Sequence, residues 1–364
     1  MRRARWIGLA IALVAVLLLS TLAMPVRVWR TGELPVVPLP LGKGGPSAGR
    51  IWVDTDAACG AGPKVDPDDC FALLLLSRSA GTRIVGISTV FGNAPLQVVD
   101  DTVREFVAEA NRNGRAPPPV YRGAAIPLFE SPKSVENRAH DALRDTLRQG
   151  PLTILALGPL TNIAASVHGR PDLAANIARL VIVMGRRQGH LFHPSEGRGK
   201  GILFGHGPVF RDFNYAQDRR AAEVVIAMGI PLTMVPYEAA RNVMLTDADL
   251  RVLATAGSAA AWVASRARGW LRYWSEDIGR DGFYPFDLVA SAYVLQPEMF
   301  GCATVRSWIS PAPQLLAWFG VPDSLFVGLA SEQPERVRTA GTAIYCPGVQ
   351  ENMHPWLMRE LSGR

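Results

Sequence analysis

Four aspartates near the start of the folded region have the spacing of a cation site. Asp54 and Asp56 close a short apolar run, and Asp68, twelve positions after Asp56, opens a longer apolar run together with Asp69. Four carboxylates at one strand end would repel one another strongly in a low-dielectric cleft, so a cation is expected among them. An all-oxygen donor set favours Ca²⁺ or Mg²⁺ over zinc. Capping of the following helix would explain one or two of these acids, but not Asp54 and Asp56 at a strand end.

Polar residues follow later strand-like runs at equivalent positions. Gly92-Asn93 follows the second run, Gly158-Pro159-Leu160-Thr161-Asn162 follows the third, and Met184-Gly185 ends the fourth. Each segment alone is explained as simply by a turn or a helix cap. In open α/β sheets, ligands bind at the carboxyl ends of the strands. The joint occurrence of these segments therefore predicts a binding site at that edge of a sheet.

From residue 51 onward, short apolar runs alternate with longer runs of helical periodicity. The predicted strands are Ile51–Asp54, Arg83–Val90, Thr153–Leu157, Leu180–Met184 and Pro231–Val235, with a later strand pair at Cys302–Ile309 and Thr342–Tyr345. The predicted helices are Asp68–Ser79, Pro95–Asn111, Asn137–Arg148, Leu160–Val167, Asp218–Met228, Ser258–Trp274 and Asp287–Leu295. This alternation predicts an α/β fold, namely a doubly wound, mostly parallel sheet with helices on both faces and an open Rossmann-like core. Residues 185–212 lack periodicity, and a loop of that length is typical of a lid or binding loop.

The first fifty residues have the composition of a targeting segment and a linker. Three arginines precede Trp6–Val26, a run of 21 uncharged residues that is long enough to span a membrane. Two interpretations stay open for residues 1–30, an uncleaved transmembrane anchor or a signal peptide cleaved near Ala23. Both place the folded domain outside the cytoplasm, membrane-anchored or secreted, and in the periplasm if the source is bacterial. Residues 31–49 are rich in proline and glycine and are interpreted as a linker, which leaves residues 50–364 as one large domain.

Charge and cysteine spacing exclude some classes of function. The net charge is +6, but the basic residues are dispersed, so no nucleic-acid partner is indicated. The 4 cysteines include no Cys-x-x-Cys pair, so a zinc site is not indicated. Cys59 and Cys70 bracket the loop between the two acid pairs, and we predict that a disulfide joins them. Four free, buried thiols are the alternative, with Cys302 and Cys346 lying in the later strand pair.

Five motifs, in order, resemble the inosine-uridine nucleoside hydrolases, a family of nucleoside N-ribohydrolases. They are Asp54-Thr55-Asp56 with Asp68-Asp69, Ile87–Asn93, Leu157–Ala164, Asp212-Phe213-Asn214 and Asp287–Ala290. The resemblance covers residues 50 to 300 and weakens beyond them. It implies the nucleoside hydrolase fold and hydrolysis of the N-glycosidic bond of ribonucleosides to base and ribose. Because relatives are commonly dimers or tetramers, it also makes a homo-oligomer possible.

The resemblance assigns a role to each matching position. It implies a Ca²⁺ site formed by Asp56, Asp69, Asp287 and the main-chain carbonyl of Thr161, with a Ca²⁺-bound water as nucleophile and Asp56 also its general base. It implies that the ribose hydroxyls are held by Asp68, Asn93, Asp212 and Asn214. The chemistry agrees, because cleavage passes through an oxocarbenium-like sugar that nearby carboxylates stabilise. A bound cation would orient the sugar and acidify the attacking water.

The chain departs from the family pattern in four places. Eleven residues, Ala57–Pro67, separate the acid pairs where the family usually has three. Asp212 stands in place of a glutamate that is one methylene longer, and His206 in place of an asparagine. Phe286 stands where many members have the histidine that protonates the leaving base. Phe286 could instead stack on a purine, or only pack in the core.

Three further interpretations are kept. A loop histidine, most plausibly His206 and otherwise His190 or His193, could replace the missing acid, although loop histidines are more often solvated. A binding protein on the same fold that has lost turnover is a second possibility, which Phe286 and His206 favour. A Mg²⁺-dependent phosphohydrolase also begins with an Asp-x-Asp strand end. It needs a downstream lysine to balance the phosphate, and here only Lys133 and Lys200 follow Lys64, neither at a strand end.

Overall fold

The computed structural model describes residues 13–14, 33–38, 49–79, 81–111, 116–130, 137–188, 211–311, 317 and 321–363. Its strands are β1 (Val37–Pro38), β2 (Arg50–Thr55), β3 (Arg83–Thr89), β4 (Val120–Arg122), β5 (Leu152–Ala156), β6 (Ile177–Ile182), β7 (Arg186–Arg187), β8 (Leu232–Met234), β9 (Leu245–Thr246), β10 (Gly282–Phe283), β11 (Phe300–Pro311), β12 (Asp323–Gly328) and β13 (Thr339–Val349). Its α-helices are α1 (Asp68–Arg78), α2 (Leu96–Ala110), α3 (Arg138–Arg148), α4 (Thr161–Val167), α5 (Pro171–Ala174), α6 (Phe213–Gln217), α7 (Arg219–Ala227), α8 (Tyr237–Ala240), α9 (Asp247–Leu253), α10 (Ser258–Tyr273), α11 (Phe286–Leu295) and α12 (Met353–Ser362). A π-helical segment, Trp274–Ile278, continues α10.

One sheet in the described part of the chain contains 11 strands. Their order is β4-β3-β2-β5-β6-β8-β13-β11-β12-β7, and β1 pairs with β11 outside this path. From β4 to β13 all neighbouring strands are parallel, whereas β11 is antiparallel to both β13 and β12. The predicted doubly wound, mostly parallel sheet is therefore confirmed. The carboxyl end of β2, which carries Asp54 and Asp56, lies between those of β3 and β5.

Helices cover both faces of the sheet, and the alternation of side chains along the strands explains why. Ile51 and Val53 of β2 point into a core that contains residues of α1, α2, α10 and α11. Trp52, between them, points into a second core that contains residues of α3, α4 and α7. Successive side chains of a strand lie on opposite faces, so a strand that is apolar at every position needs cover on both sides. This arrangement leaves the strand ends as the place for polar groups.

Several elements were not predicted from the sequence. Strand β12 and helix α12 were missed, and β7 lies at the start of the segment predicted to be a long loop. β7 is only two residues long, and it becomes a strand by pairing in parallel with β12. Such a pairing depends on a contact with a distant part of the chain rather than on local periodicity.

Both pairs of cysteines are joined. The predicted disulfide between Cys59 and Cys70 is confirmed, and a second one joins Cys302 of β11 to Cys346 of β13. The alternative of four free thiols is therefore wrong, since all four cysteines are in the described residues. The first disulfide closes the eleven-residue loop that separates the two acid pairs.

The structure describes only part of the predicted membrane span and linker. Apart from residues 13–14, the predicted span Trp6–Val26 lies outside the described residues, and among those described no helix is long and apolar enough to cross a membrane. Within the predicted linker, β1 pairs with β11, with Val37 opposite Cys302.

Candidate active site

Five buried aspartates lie at the carboxyl edge of the parallel strands. Asp54 and Asp56 come from the end of β2, Asp68 and Asp69 open α1, and Asp287 lies in the first turn of α11. None is more than 4% exposed. Helices α1 and α11 pack against each other, so their first turns meet. Carboxylate oxygens of Asp68, Asp69 and Asp287 all lie within 4.8 Å of one another, a spacing at which a single metal ion could bind all three.

Asp56 is enclosed by two neighbouring strand ends. Its Oδ2 accepts a hydrogen bond from the backbone N–H of Asn93 at 2.8 Å, whereas its Oδ1 is buried without a hydrogen-bond partner. A Cβ at Gly92 would overlap the Asp56 carboxylate, and one at Gly158 would lie 3.1 Å from Asp56 Cβ. The glycines after β3 and β5 therefore leave the space that this side chain occupies. An unpartnered buried carboxylate oxygen is costly, and a bound cation would satisfy it.

Hydrogen bonds tie the remaining acids into one unit. The Thr55 hydroxyl and the Asn93 side-chain amide (3.2 Å) both donate to the carboxylate of Asp69. The backbone N–H of Asp287 donates to Asp68 Oδ2 at 3.0 Å. Asn93 thus contacts both Asp56 and Asp69, and Thr55 is a contact that the sequence did not reveal.

The electrostatics of this cluster show a deficit of positive charge. Burial, together with the charge of Asp68, raises the pKa of Asp69 to about 7. Burial and neighbouring aspartates raise the pKa values of Asp56 and Asp287 well above the usual range. Carboxylates that resist ionisation because of burial and mutual repulsion are the expected state of an oxygen-ligand site without its ion. The donor set therefore fits a hard divalent cation such as Ca²⁺ or Mg²⁺.

Asp54 has different partners from the other acids. Its Oδ1 accepts hydrogen bonds from Asn162 Nδ2 at 2.7 Å and from the Ser88 hydroxyl, and Ser88 accepts one from Trp52 Nε1 at 2.7 Å. Burial nevertheless raises the pKa of Asp54 to about 7, against the lowering effect of these bonds. Asn162 also donates to the carbonyl of Thr89 and accepts from the N–H of Ala124. Asp54 and Asn162 thus connect β2, β3 and α4 underneath the site.

Replacing Asn162 by alanine is expected to lower the free energy of unfolding by about 2–4 kcal/mol, because a buried carboxyl and two buried backbone groups lose their partner. Urea denaturation of wild type and variant measures the change. Gln97→Ala is the matched control, since Gln97 bonds only at the surface, to Asp101 and Arg122, and its loss should change stability by less than about 0.5 kcal/mol. Equal stability of the Asn162 variant and wild type would contradict this account.

The predicted ribose-binding residues Asp212 and Asn214 lie at the ends of β5 and β6. Asp212 caps α6, accepting from Tyr215 N–H at 3.3 Å and from Gly185 N–H at 2.7 Å. Asn214 donates to the carbonyl of Leu157 at 2.5 Å and that of Val183 at 3.2 Å. Their side chains therefore hold these strand ends, and the carboxylate oxygens of Asp212 retain lone pairs for a ligand.

Thr161 begins α4, directly after β5. Its hydroxyl donates to Asp218 Oδ2 at 2.7 Å, and Asp218 also accepts from the N–H groups of Leu128 and Ala221. The side chain of Thr161 is therefore engaged away from the acids, which leaves its main-chain carbonyl as the group predicted to bind a metal.

Aromatic side chains stand beside the acid cluster. Phe286 is the first residue of α11, adjacent to Asp287, and it is half-buried. Its ring centroid lies 6.4 Å from that of Tyr237, which begins α8 just beyond the end of β8. Tyr237 was not predicted as a site residue, although its position after a predicted strand was the available signal. The two half-buried rings could form a wall for a planar ligand.

The histidines considered as replacement acids, His190, His193 and His206, lie outside the described residues. The remaining predicted positions fall into two groups along one sheet edge. Asp56, Asp68, Asp69, Asn93 and Asp287 are brought together, and Asp212 with Asn214 follows at the neighbouring strand ends. Such an edge can bind a cation, hold hydroxyl groups and stabilise positive charge that develops on a sugar ring.

Comparison with known proteins gives consistent results. Residues 51–341 match the family model described as inosine-uridine preferring nucleoside hydrolase. The pyrimidine-specific ribonucleoside hydrolase RihA of Citrobacter koseri is 28% identical over 273 residues, which cover 68% of this chain and 81% of that protein. A solved plant nucleoside hydrolase superposes with a TM-score of 0.70 at 18% identity, covering 87% of this chain and 100% of that one. The purine-preferring ribonucleoside hydrolase of Gardnerella vaginalis gives a TM-score of 0.65 at 18% identity, over 86% and 98%. At such identities the two solved structures show a shared fold.

Proposed function

Because the chain belongs to the inosine-uridine preferring nucleoside hydrolase family and is a hydrolase of N-glycosyl compounds, we propose that it cleaves ribonucleosides to base and ribose with the help of Ca²⁺. The observation that carries the proposal is the convergence of Asp68, Asp69 and Asp287 within 4.8 Å, next to the unpartnered Oδ1 of Asp56. Asp56, Asp69 and Asp287, with the carbonyl of Thr161, would hold the cation. Asp68 belongs to the same cluster, so it can serve the cation as well as the ribose.

In the proposed mechanism, each residue of the site has a separate role. A bound Ca²⁺ would orient the ribose hydroxyls and lower the pKa of a water molecule. Asp56 would serve as the general base for that water as well as a ligand of the cation, and the N–H of Asn93 holds its Oδ2 in place. Asn93 also fixes Asp69, so it keeps the two carboxylates in register. The buried carboxylates stabilise the positive charge that develops on the sugar as the glycosidic bond breaks.

The base that leaves is proposed to be a purine. Phe286 cannot donate a proton, but with Tyr237 it offers an aromatic wall, and a purine has the larger π-face to stack on it. The relatives differ in this respect, since RihA is named pyrimidine-specific and the Gardnerella vaginalis enzyme purine-preferring. Residues of this chain beside Asp287 are therefore expected to decide the choice.

A nucleoside panel tests the proposed function. Purified protein is incubated with inosine, adenosine, uridine and cytidine, in Ca²⁺, in Mg²⁺ or with a chelator, and free base is measured by chromatography. Base release that depends on the cation is expected, with inosine and adenosine preferred. Asp56→Asn should remove the activity, whereas Asp101→Asn, an exposed acid on α2, is the matched control that should keep it. A wild type that binds Ca²⁺ but cleaves nothing would support the binding-protein alternative. In a parallel assay with a nucleotide, release of phosphate would support the phosphohydrolase.

We also propose that the catalytic domain acts outside the cytoplasm, held by residues 1–30 as an anchor or released after their cleavage. The support is the uncharged run Trp6–Val26 behind three arginines, and two disulfides are typical of an oxidising compartment. A reporter enzyme fused after residue 50 tests the proposal, and reporter activity confined to the cytoplasm would refute it. Separation of membranes from soluble material then distinguishes an anchor from a cleaved signal.

A further inference from the structure

The eleven-residue loop Ala57–Pro67 is attached directly beside the acid cluster. Cys59 in the loop forms a disulfide with Cys70, and Cys70 follows Asp69 in the first turn of α1. Both cysteines are almost fully buried, with exposures of 2% and 0%. The bridge therefore fixes the loop to the turn of α1 that presents Asp68 and Asp69.

The other side of the loop is packed against α10 and the π-helical segment. A Cβ at Gly60, whose φ is +81°, would lie 2.7 Å from Arg266 Cγ, and a Cβ at Gly269 would lie 3.0 Å from Pro63 Cα. The positive φ and the close approach favour glycine at position 60, and a side chain at position 269 would require the backbone at Pro63 to shift. Lys64 Nζ lies 3.3 Å from Asp277 Oδ2 and 4.6 Å from the centre of the Tyr273 ring. The loop is thus held between α1 and the segment that leads to α11 and Asp287.

The end of the loop also contacts the acids. Asp66 Oδ1 accepts the N–H of Asp68 at 3.2 Å, and Asp68 Oδ2 accepts the N–H of Asp287 at 3.0 Å. The first hydrogen bond connects the loop to α1, and the second connects α1 to α11, so the loop reaches α11 only through α1. Because these carboxylates repel one another, something must keep their two helix ends together before a cation binds.

We infer that the Cys59–Cys70 bridge is a positioning element for the metal site, which it holds at the spacing that one cation requires. The inference rests on the proposed metal-dependent function. An open loop of eleven residues has many conformations, and the bridge removes most of them next to Asp69. Without it, α1 can shift away from the end of β2, and the carboxylates separate under their own repulsion. Metal sites lose affinity when the groups that orient their ligands are removed.

The test compares the two disulfides of the same chain. The full-length protein is prepared as wild type, as Cys59→Ser/Cys70→Ser and as Cys302→Ser/Cys346→Ser, which removes the bridge between β11 and β13 and is the matched control. The dissociation constant for Ca²⁺ is measured by calorimetric titration, and the fold is checked by circular dichroism. The first variant is expected to bind Ca²⁺ about 10- to 100-fold more weakly, and the control within about twofold of wild type. A purely structural bridge would lower the unfolding temperature without changing the dissociation constant.

Outcomes of this test separate the inference from the proposed function. A wild type that binds neither Ca²⁺ nor Mg²⁺ refutes the metal-dependent function itself. A wild type that binds Ca²⁺, with both variants binding equally well, overturns the inference alone. If the serine pair does not fold, Cys59→Ala/Cys70→Val restores apolar volume without the bridge and is held to the same expectation. Reduction of wild type by a dithiol, which gives two electrons and two protons to the disulfide and is itself oxidised to a disulfide, should produce the same weakening.

Discussion

Asp69→Asn is expected to abolish metal binding and to lower hydrolysis at least about 10³-fold, while it makes the metal-free protein more stable than wild type. The carboxylate of Asp69 lies in the acid cluster and is a proposed metal ligand, so its loss removes a charge that the cation needs. In the metal-free protein the same charge destabilises the folded state. Burial and Asp68 raise the pKa of Asp69 to about 7, so ionisation opposes folding as the pH rises from about 4 to 7. Above pH 7 the full penalty applies, and asparagine should recover about 1–2 kcal/mol of it.

Two denaturation series test whether the cation reverses the order of stability of wild type and variant. Wild type and Asp69→Asn are unfolded in urea at pH 8, first with a chelator and then with saturating Ca²⁺. The variant should be the more stable protein in chelator and the less stable one in Ca²⁺. Asp101→Asn, at an exposed position of α2, should change neither ranking. Ca²⁺ binding by the Asp69 variant that matches wild type would show that the ligand assignment is wrong.

A substrate whose leaving group needs no proton is expected to react about 10²–10⁴-fold faster than inosine, which is the usual contribution of a general acid. The reason is Phe286, which stands beside Asp287 and has no proton to give. A nitrophenyl riboside releases a stable phenolate, so the absence of an acid does not slow its cleavage. Phe286→His should raise kcat/KM for inosine and leave that for the nitrophenyl riboside almost unchanged.

Two companion variants identify the source of the proton. Phe286→Leu keeps an apolar side chain without an aromatic face, so it should weaken inosine binding and gain no rate. His206→Ala should slow inosine but not the nitrophenyl riboside if a loop histidine is the acid. Wild type could instead cleave inosine as fast as the nitrophenyl riboside, with no change in Phe286→His or His206→Ala. That result would show that protonation of the leaving base does not limit the rate.

Local patterns predicted the frame of the fold well. Apolar runs followed by acids or by a glycine turn identified β2, β3, β5 and their shared edge, because strand burial can be recognised from neighbouring residues alone. The same reasoning identified Asp56, Asp69 and Asn93, whose mutual contacts the structure describes. Their chemical roles stay predictions until the variants are assayed.

Contacts between distant parts of the chain could not be predicted from such local patterns. Asn162 and Asp54 are 108 residues apart, and nothing in either neighbourhood indicates that one holds the other. Tyr237 meets Phe286 only because the ends of β8 and the start of α11 share an edge. The inserted loop packs against α10 at Gly60 and Gly269. The need for small residues there becomes clear only from the structure, in which Arg266 lies against Gly60 and Pro63 against Gly269.

The hydrogen bond between Asp287 and Asp68 joins residues 219 positions apart, which has a consequence for how the protein acquires its cation. During synthesis, the first four acids are made long before α11, so a growing chain cannot offer the complete donor set. An ion that binds only the finished fold stabilises it by RT ln(1 + [L]/Kd), about 2.7 kcal/mol when the free ion is at 100 times Kd. The concentration of the cation in the compartment where the chain folds would then set both its activity and its lifetime against proteolysis.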